Sequence, residues 1–540
     1  MSINKKVAEA FDLLAKLMEL HNENDFKIRS YANAHLTLRK VEKDLSDMST
    51  EELSGIKGVG TAIAAKIEEF LRTGTMKILE DYKNKTPAGV QDLLSIKGLG
   101  PKKVGQIWHE LEITSPGELL YACNENRVAS LRGFGLKVQQ DLIRKLEYHL
   151  ESKGKILYAY VIALAETCLS RLQQAYPEAN ISLTGDIRRK MPEVHSIQIL
   201  ADFNPEMDVS HVAGFERREE GFIFEGIPVV FFHTTTRQFQ RMLFEQSCNE
   251  AFLRVFTDKE LDQASEADIF SAKGTQFIPS ECRESPDVLQ LFTNGYPGLI
   301  ERSDIRGIIH THTTYSDGIH TLEEMASYTK AAGFEYLVIT DHSKSAGYAG
   351  GLSEERVLEQ LREIDQLNAL LGPDFRIFKG IESDILSDGS LDYRDEFLEF
   401  FEVVIASVHS GMQMSEEKAS ERIIRAIEHP ATRILGHPTG RLLLARPGYP
   451  LNHKKVIDAC AAHNIAIELN ANPQRLDLDW TWIRYAMDKG VLIAVNPDAH
   501  SQESIHFIDY GVAVARKGLL TATMCLNCLD KNTFEAWLKA

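Results

Sequence analysis

Long apolar runs are missing from this chain: nothing approaches the roughly 18 consecutive apolar residues that a membrane-spanning helix needs. The opening stretch MSINKKVAEAFDLL lacks the apolar core of a secretory leader, so no export signal is expected. Cysteine is scarce, seven in 540 residues, and scattered singly except for Cys525 and Cys528. A lone CxxC without a second pair does not make a zinc ribbon, and reduced thiols in a cytoplasmic protein are expected. A basic surplus is also missing. The net charge of −18 argues superficially against a nucleic-acid partner. The acidity is uneven, however: residues 1–150 hold 22 Lys/Arg against 21 Asp/Glu, so the excess lies further on, where part of it can serve bound cations.

What the C-terminal half does have is a series of metal-type residues, each closing an apolar, strand-like run. They are His310 and His312 (IIHTH), Asp317 (YSDG), His342 (VITDH), Glu382 (KGIESD), His409 (VIASVH), His437 (ILGHP), and Asp498 with His500 (IAVNPDAH). A single strand-end histidine is more often a satisfied core residue. Imidazoles and carboxylates converging from many strand ends are what a multinuclear site needs, because neutral nitrogens hold ions and a carboxylate can bridge two of them. The runs YLVIT, RIFKGIE, VVIASVH, RILGH, IAIELN and VLIAVNP alternate with amphipathic helical stretches, the pattern of a β/α barrel. Catalytic residues of such barrels gather at the strand ends.

In these motifs the segment 305–500 resembles the PHP (polymerase and histidinol phosphatase) phosphoesterases. The resemblance implies a distorted (β/α)7 barrel with three divalent metal ions at the C-terminal ends of its strands. It implies that His310, His312, Glu382 and Asp498 hold the first ion. Glu382 would bridge to a second ion held by His409 and His437, and Asp317, His342 and His500 would take the third. A histidine-rich set favours Mn2+, Zn2+ or Fe2+ over Mg2+. All nine ligands are therefore candidate catalytic residues. Arg441 and Arg446 (GHPTGRLLLARPGY), Arg475 (NANPQRLDL) and, less directly, Lys344 (DHSKSAGYAGGL) are candidates to grip phosphate oxygens.

The N-terminal third carries an internal repeat. LSGIKGVGTAIAAKIEEFL (53–71) recurs as LLSIKGLGPKKVGQIWHEL (93–111) and, more loosely, as LRGFGLKVQQDLIRKL (131–146). Each copy is a helix end, a glycine hairpin and a second amphipathic helix, the helix-hairpin-helix pattern. Gly58, Gly60, Gly98 and Gly100 permit the tight turn, and the hairpin can present amide N–H groups and a helix N-terminus to a phosphate. Lys102 and Lys103 lie beside the second hairpin. Such contacts position DNA without reading its sequence.

Taken in order, these parts resemble a bacterial family X DNA polymerase over essentially the whole chain. The resemblance implies a multidomain α+β and α/β protein: a helical helix-hairpin-helix domain (1–85), a fingers-like one (86–150), a palm (151–232), a thumb-like domain and linker (233–300), and the PHP domain (301–540). The family's palm carries GS-x-RR, an Asp-x-Asp pair and a third Asp on a neighbouring strand. Here the matching text is TGDIRRKMPEVHSIQIL, where Ser196 and Gln198 fall on the paired aspartates. Val230, in GIPVVFFH, falls on the third. Two-metal nucleotidyl transfer needs carboxylates at these points, so polymerase activity is expected to be absent. Asp202, Glu206 and Asp208 are nearby acids in a loop-like stretch and could serve only after a register shift. Lys66 aligns with the lyase nucleophile of eukaryotic relatives, a role that requires a free amine.

The expected function is a DNA-binding, metal-dependent phosphodiesterase, a 3′–5′ exonuclease of DNA repair acting on gapped, nicked or 3′-ended DNA. An AP endonuclease or 3′-end processing enzyme, a small-molecule phosphatase of the histidinol-phosphate type, and a non-catalytic DNA scaffold are the alternatives.

Overall fold

The structure is a computed structural model that describes residues 3–41, 43–96, 98–151, 154–203, 209–219 and 221–539, apart from the side chains of 148–151. Glu206 and Asp208 lie outside the described residues. The chain divides into two compact units: Met1–Asn124 with Val128–Leu150, and Glu125–Arg127 with Glu151–Ala540.

The first unit is helical. Its hairpins follow from the glycines. Gly58 (φ +90°) and Gly98 (φ +99°) adopt the left-handed backbone that a side chain disfavours. Between the glycines, Val59 and Leu99 are buried and anchor each hairpin to the core. Gly60 and Gly100 then open the helices Thr61–Thr73 and Pro101–Leu111, and neither end has a side-chain cap. The first-turn N–H groups, which have no intrahelical partner, therefore face outward from an uncapped end. No atom outside the immediate backbone lies within 4 Å of where a Cβ on Gly60 or Gly100 would stand. The third copy is looser: Gly133 (φ +88°) matches Gly58 and Gly98, but Gly135 (φ +60°) is left-handed where Gly60 and Gly100 are extended, and it begins the helix Gly135–Glu151.

The second unit begins with a five-stranded sheet of β1 (Ile181–Leu183), β2 (Ile197–Ala201), β3 (Phe215–Arg218), β4 (Gly221–Phe224) and β5 (Ile227–His233), in the order β1-β2-β5-β4-β3. The neighbours β2 and β5 run parallel, and Gln198 is the register partner of Val230. Ser196 lies just before β2. A helical segment follows, with a core of Phe244, Phe252, Phe256 and Phe270 that extends to Leu519 of the last domain.

Seven strands then form the final domain: β6 (Gly307–Thr311), β7 (Tyr336–Ile339), β8 (Arg376–Asp384), β9 (Val403–Ser407), β10 (Thr432–Leu435), β11 (Ala466–Asn470) and β12 (Ile493–Asn496). All neighbours pair in parallel in sequence order. A parallel bridge between Thr311 and Ala499 brings the first strand back to the last, so the barrel is nearly closed. Crossover helices cover the outside, which buries both faces of the sheet and explains the continuous Val/Ile/Leu runs. Gly307 is required where β6 meets β7, since a Cβ there would sit 2.0 Å from the Tyr336 ring. No helix among the described residues is long and apolar enough to cross a membrane.

Candidate metal centre

Each strand of the barrel except β11 delivers its metal-type residue at or just past its C-terminal end. His310 is on β6, and His312 and Asp317 follow it; His342 follows β7 and Glu382 lies near the end of β8. His409, His437 and the pair Asp498 and His500 follow β9, β10 and β12. The parallel register therefore draws nine side chains, separated by up to 190 positions, into one buried cluster. His310 (φ +64°) and Asp498 (φ +52°) hold left-handed backbone conformations, local strain of the kind that accumulates where geometry is functional.

Glu382 sits at the middle. Its Oε1 lies 3.0 Å from His437 Nε2, 3.2 Å from His409 Nε2 and 3.3 Å from His310 Nε2. Its Oε2 lies 2.9 Å from His342 Nδ1. Asp498 Oδ1 is 3.1 Å from His312 Nε2 and 3.5 Å from His310 Nε2. Asp317 reaches His342 Nε2 at 3.4 Å and His500 Nε2 at 3.3 Å. Four sets among the described residues could each hold a cation: His310, His312 and Asp498; His342, Glu382 and His409; His312, Asp317, His342 and His500; and Asp498 and His500 with Glu125, a buried acid not singled out from the sequence, whose Oε2 lies 2.6 Å from His500 Nε2. They overlap the expected partition without reproducing it, because His342 stands between Glu382 and Asp317 and His312 belongs to two sets.

Electrostatics suit the same reading. Burial and the neighbouring His500 and His342 push His312 down to about 3, leaving a neutral imidazole with a lone pair to give. Burial opposes charge on His310, His342 and His500, but the surrounding carboxylates override it and raise all three well above the ordinary histidine value. Burial likewise opposes ionisation of Glu382, Asp317 and Asp498, yet the imidazoles around them hold all three well below the usual carboxylate range. Carboxylates held ionised thus face imidazoles held protonated, and a cation binding among them displaces those imidazole protons. His310 Nε2, His312 Nδ1, His342 Nδ1 and Glu382 Oε2 are buried without a well-directed hydrogen bond. Buried polar atoms of this kind call for a partner, and nitrogens with carboxylate oxygens are the donors that divalent transition metals take. The residues fit a multinuclear metal centre.

Three further buried acids stand behind the ligands, and none was singled out from the sequence. Asp384 accepts from His409 Nδ1. Asp341 binds the loop that carries Asp317, and Glu468 holds His310 Nδ1 at 2.6 Å. Asp384 could have been suspected from its place two residues after Glu382 on β8, and Asp341 from its place beside His342.

The phosphate candidates divide. Arg475 is buried beside the cluster, its Nε 3.9 Å from Asp498 Oδ2. Arg446 donates to the Gly440 carbonyl at 2.9 Å. Arg441 has a different task from the one expected: its guanidinium binds Asp479 at 2.5 Å and the Arg475 and Leu476 carbonyls, bracing the loop that bears Arg475. Lys344 lies over the Tyr393 ring at 5.1 Å. In the helical unit, Lys102 is exposed and Lys103 lies 5.3 Å from the Phe134 ring centroid. Lys66 is paired with Glu69 at 2.6 Å, a carboxylate neighbour in place of the apolar or cationic surroundings that activate an amine nucleophile.

Residues 2–76 match the helix-hairpin-helix domain, residues 90–147 the SAM-like helix-hairpin-helix tandem, and residues 309–495 the PHP domain. A probable phosphatase of Thermoanaerobacter sp. (strain X514) is 28% identical over 43% of this chain and 93% of its own length. A solved histidinol phosphate phosphatase from Lactococcus lactis, complexed with zinc, L-histidinol and phosphate, covers 39% of this chain and 93% of its own at 22% identity and a TM-score of 0.31. The DNA polymerase/3′-5′ exonuclease PolX of Bacillus subtilis (strain 168) is 31% identical over 99% of both chains. With the helix-hairpin-helix and PHP domains in the same order along a relative matched end to end, this chain belongs to the bacterial family X DNA polymerases that carry a C-terminal PHP domain.

Proposed function

We propose that this protein is a DNA-binding, metal-dependent 3′–5′ exonuclease of DNA repair, and that its polymerase-like domain does not transfer nucleotides. The observation that carries the proposal is the buried nine-residue cluster at the barrel's strand ends, joined in one chain to hairpins built for phosphate. His310, His312 and Asp498 would hold one divalent ion, Glu382 with His409 and His437 a second, and Asp317, His342 and His500 a third. Bound divalent ions would supply charge neutralisation at the scissile phosphate and an activated water near neutral pH. The chain's own residues supply the rest. The imidazoles and carboxylates fix the ions, and the buried walls exclude bulk water. Arg475, beside Asp498, is the guanidinium best placed to meet a phosphate oxygen. In the helical unit, the uncapped amides after Gly58/Gly60 and Gly98/Gly100, with Lys102 and Lys103, would hold the DNA backbone.

The inert palm rests on Ser196, Gln198 and Val230. Gln198 and Val230 face each other in register on parallel strands, where two carboxylates would have to stand. The Gln198 side chain turns back onto the loop before it and accepts from Asp186 N at 2.7 Å. Asp202, the nearby acid, is committed to Asn180 and Thr236. Among the described residues, these positions offer no carboxylate set for a nucleotide's ions.

A 5′-labelled primer–template incubated with Mn2+, with and without all four dNTPs, tests both halves. The expected result is shortening of the primer, abolished in a His310→Ala/His312→Ala variant, with no extension by either protein. Template-dependent extension would overturn the inert palm. Hydrolysis confined to small phosphate esters would favour a phosphatase, which the Thermoanaerobacter relative of the barrel keeps in view. Incision at an abasic site in place of end shortening would favour the AP endonuclease reading.

A further inference from the structure

Glu468, on β11, is a strand-borne acid whose carboxylate is saturated by ligand-bearing elements. Its Oε2 accepts from His310 Nδ1 at 2.6 Å and from Asn496 Nδ2 at 2.8 Å. Its Oε1 accepts from the His437 backbone N–H at 3.1 Å and from Asn470 Nδ2 at 2.9 Å. Asn470 Nδ2 also reaches Asp498 Oδ2 at 3.0 Å. One fully buried carboxylate thus touches β6, β10 and β12 as well as its own strand. An ionised carboxylate accepts at both oxygens, about four hydrogen bonds in all, and donates none, so Glu468 is filled to capacity.

We infer that Glu468 is a positioning residue that selects the His310 tautomer and gathers three ligand-bearing strand ends about one cation position. The inference rests on the reading of the barrel as a divalent-metal centre. The physical basis is the two-sided character of imidazole. With Nδ1–H donated to Glu468, the lone pair is on Nε2, which faces Glu382 Oε1 at 3.3 Å and Asp498 Oδ1 at 3.5 Å. A glutamine at 468 keeps the shape but offers one acceptor oxygen and an amide N–H2 facing groups that themselves donate. If that amide meets His310, the ring must accept at Nδ1 and carry its proton on Nε2, where it has no lone pair for a cation. If the amide points the other way, the His437 N–H and Asn470 lose their acceptor instead.

The test is Mn2+ titration of the full chain followed by EPR, which counts bound ions without asking for activity. In wild type the reading requires more than one tightly bound Mn2+; no binding there would sink the metal-centre reading itself, separately from Glu468. Glu468→Gln is expected to weaken one class of sites by roughly 10–100-fold, the usual effect of removing a carboxylate behind a metal-ligating histidine, and to leave the others. In a His310→Ala background the same substitution should weaken that class by less than it does in wild type, because part of its action runs through His310. Additive losses, or unchanged number and affinity in Glu468→Gln, would overturn the inference. Should Glu468→Gln fail to fold, Glu468→Asp carries the same test: it keeps the charge, falls one carbon short of His310, and should weaken the same class to a smaller degree.

Discussion

Asp341 shows how much of the centre depends on residues that never meet a metal. It is fully buried beside His342, and its two oxygens accept from Thr313 N (2.8 Å), Thr313 Oγ1 (2.8 Å), Ser316 N (3.0 Å), Ser316 Oγ (2.5 Å) and Gln360 Nε2 (2.6 Å). Four of these donors belong to the turn between His312 and Asp317, so Asp341 fixes the path by which Asp317 comes back to His342 and His500. The turn is tight enough that a Cβ on Gly318 would lie 2.6 Å from the His312 carbonyl oxygen. Asp341→Asn keeps the size but turns an amide N–H2 toward groups that already donate. We expect a loss of roughly 3 kcal/mol in stability, since each buried donor left unmet costs about 1–3 kcal/mol. Denaturant unfolding would show it, and Mn2+ binding should lose the site nearest Asp317. Stability equal to wild type would mean that the turn holds without this carboxylate.

At the scale of elements, the repeated hairpins were legible because their chemistry is local. A left-handed turn needs glycine, and Gly58 and Gly98 both have it, with Val59 and Leu99 pinned inward between the paired glycines. The barrel strands were legible for a different reason: parallel strands buried on both faces read as unbroken Val/Ile/Leu runs, and each run but that of β11 ended on a residue of metal type. Asp341 had only its place beside His342 to mark it, and Glu468 was not legible, because one carboxylate inside a strand has no spacing to announce it. Neither was the bracing role of Arg441, whose partners Arg475 and Asp479 are 34 and 38 positions away. A prediction belongs to the second hairpin. Lys102 is exposed next to the uncapped start of Pro101–Leu111, so Lys102→Ala should weaken DNA binding about equally for unrelated sequences. The slope of log affinity against log salt should fall by about 1, the mark of one lost phosphate contact. An unchanged slope would remove Lys102 from the interface.

At the scale of the second unit, Arg188 and Arg189 of the TGDIRRK segment act as structural ties. Arg188 grips Glu266 through two bonds of 2.9 and 2.5 Å, and Arg189 grips Glu284 through two of 3.0 and 2.5 Å. Glu266 also takes the fully buried Arg283 at 2.6 Å. From the barrel, Lys517 reaches Glu284 at 2.5 Å and Arg516 reaches Glu281 at 2.9 Å, while Lys190 of the palm meets Glu281 at 3.2 Å. The five-stranded sheet, the helical segment and the barrel are thus joined by three largely buried ion clusters, spanning positions too far apart in sequence for any local pattern to reveal them. Burial alone would raise the pKa of Glu266, Glu281 and Glu284, but the cations around them prevail and hold all three below the ordinary value of 4.5. The sign follows by linkage: carboxylates that bind protons less readily when folded add stability fully present above pH 4.5, and that stability drains as pH falls through their lower folded values. Wild type should therefore lose unfolding free energy steeply below that point. Glu284→Gln leaves Lys517 without its counter-charge and Arg189 with only Asp186 at 3.5 Å, and should cost roughly 3–5 kcal/mol at neutral pH, the scale for breaking a buried pair. The same variant should lose less on acidification than wild type does, because one of the titrating ties is already gone. Denaturant unfolding of both proteins from neutral pH into the acid range measures this directly, and parallel curves for the two would mean that Glu284 does not tie the palm to the barrel.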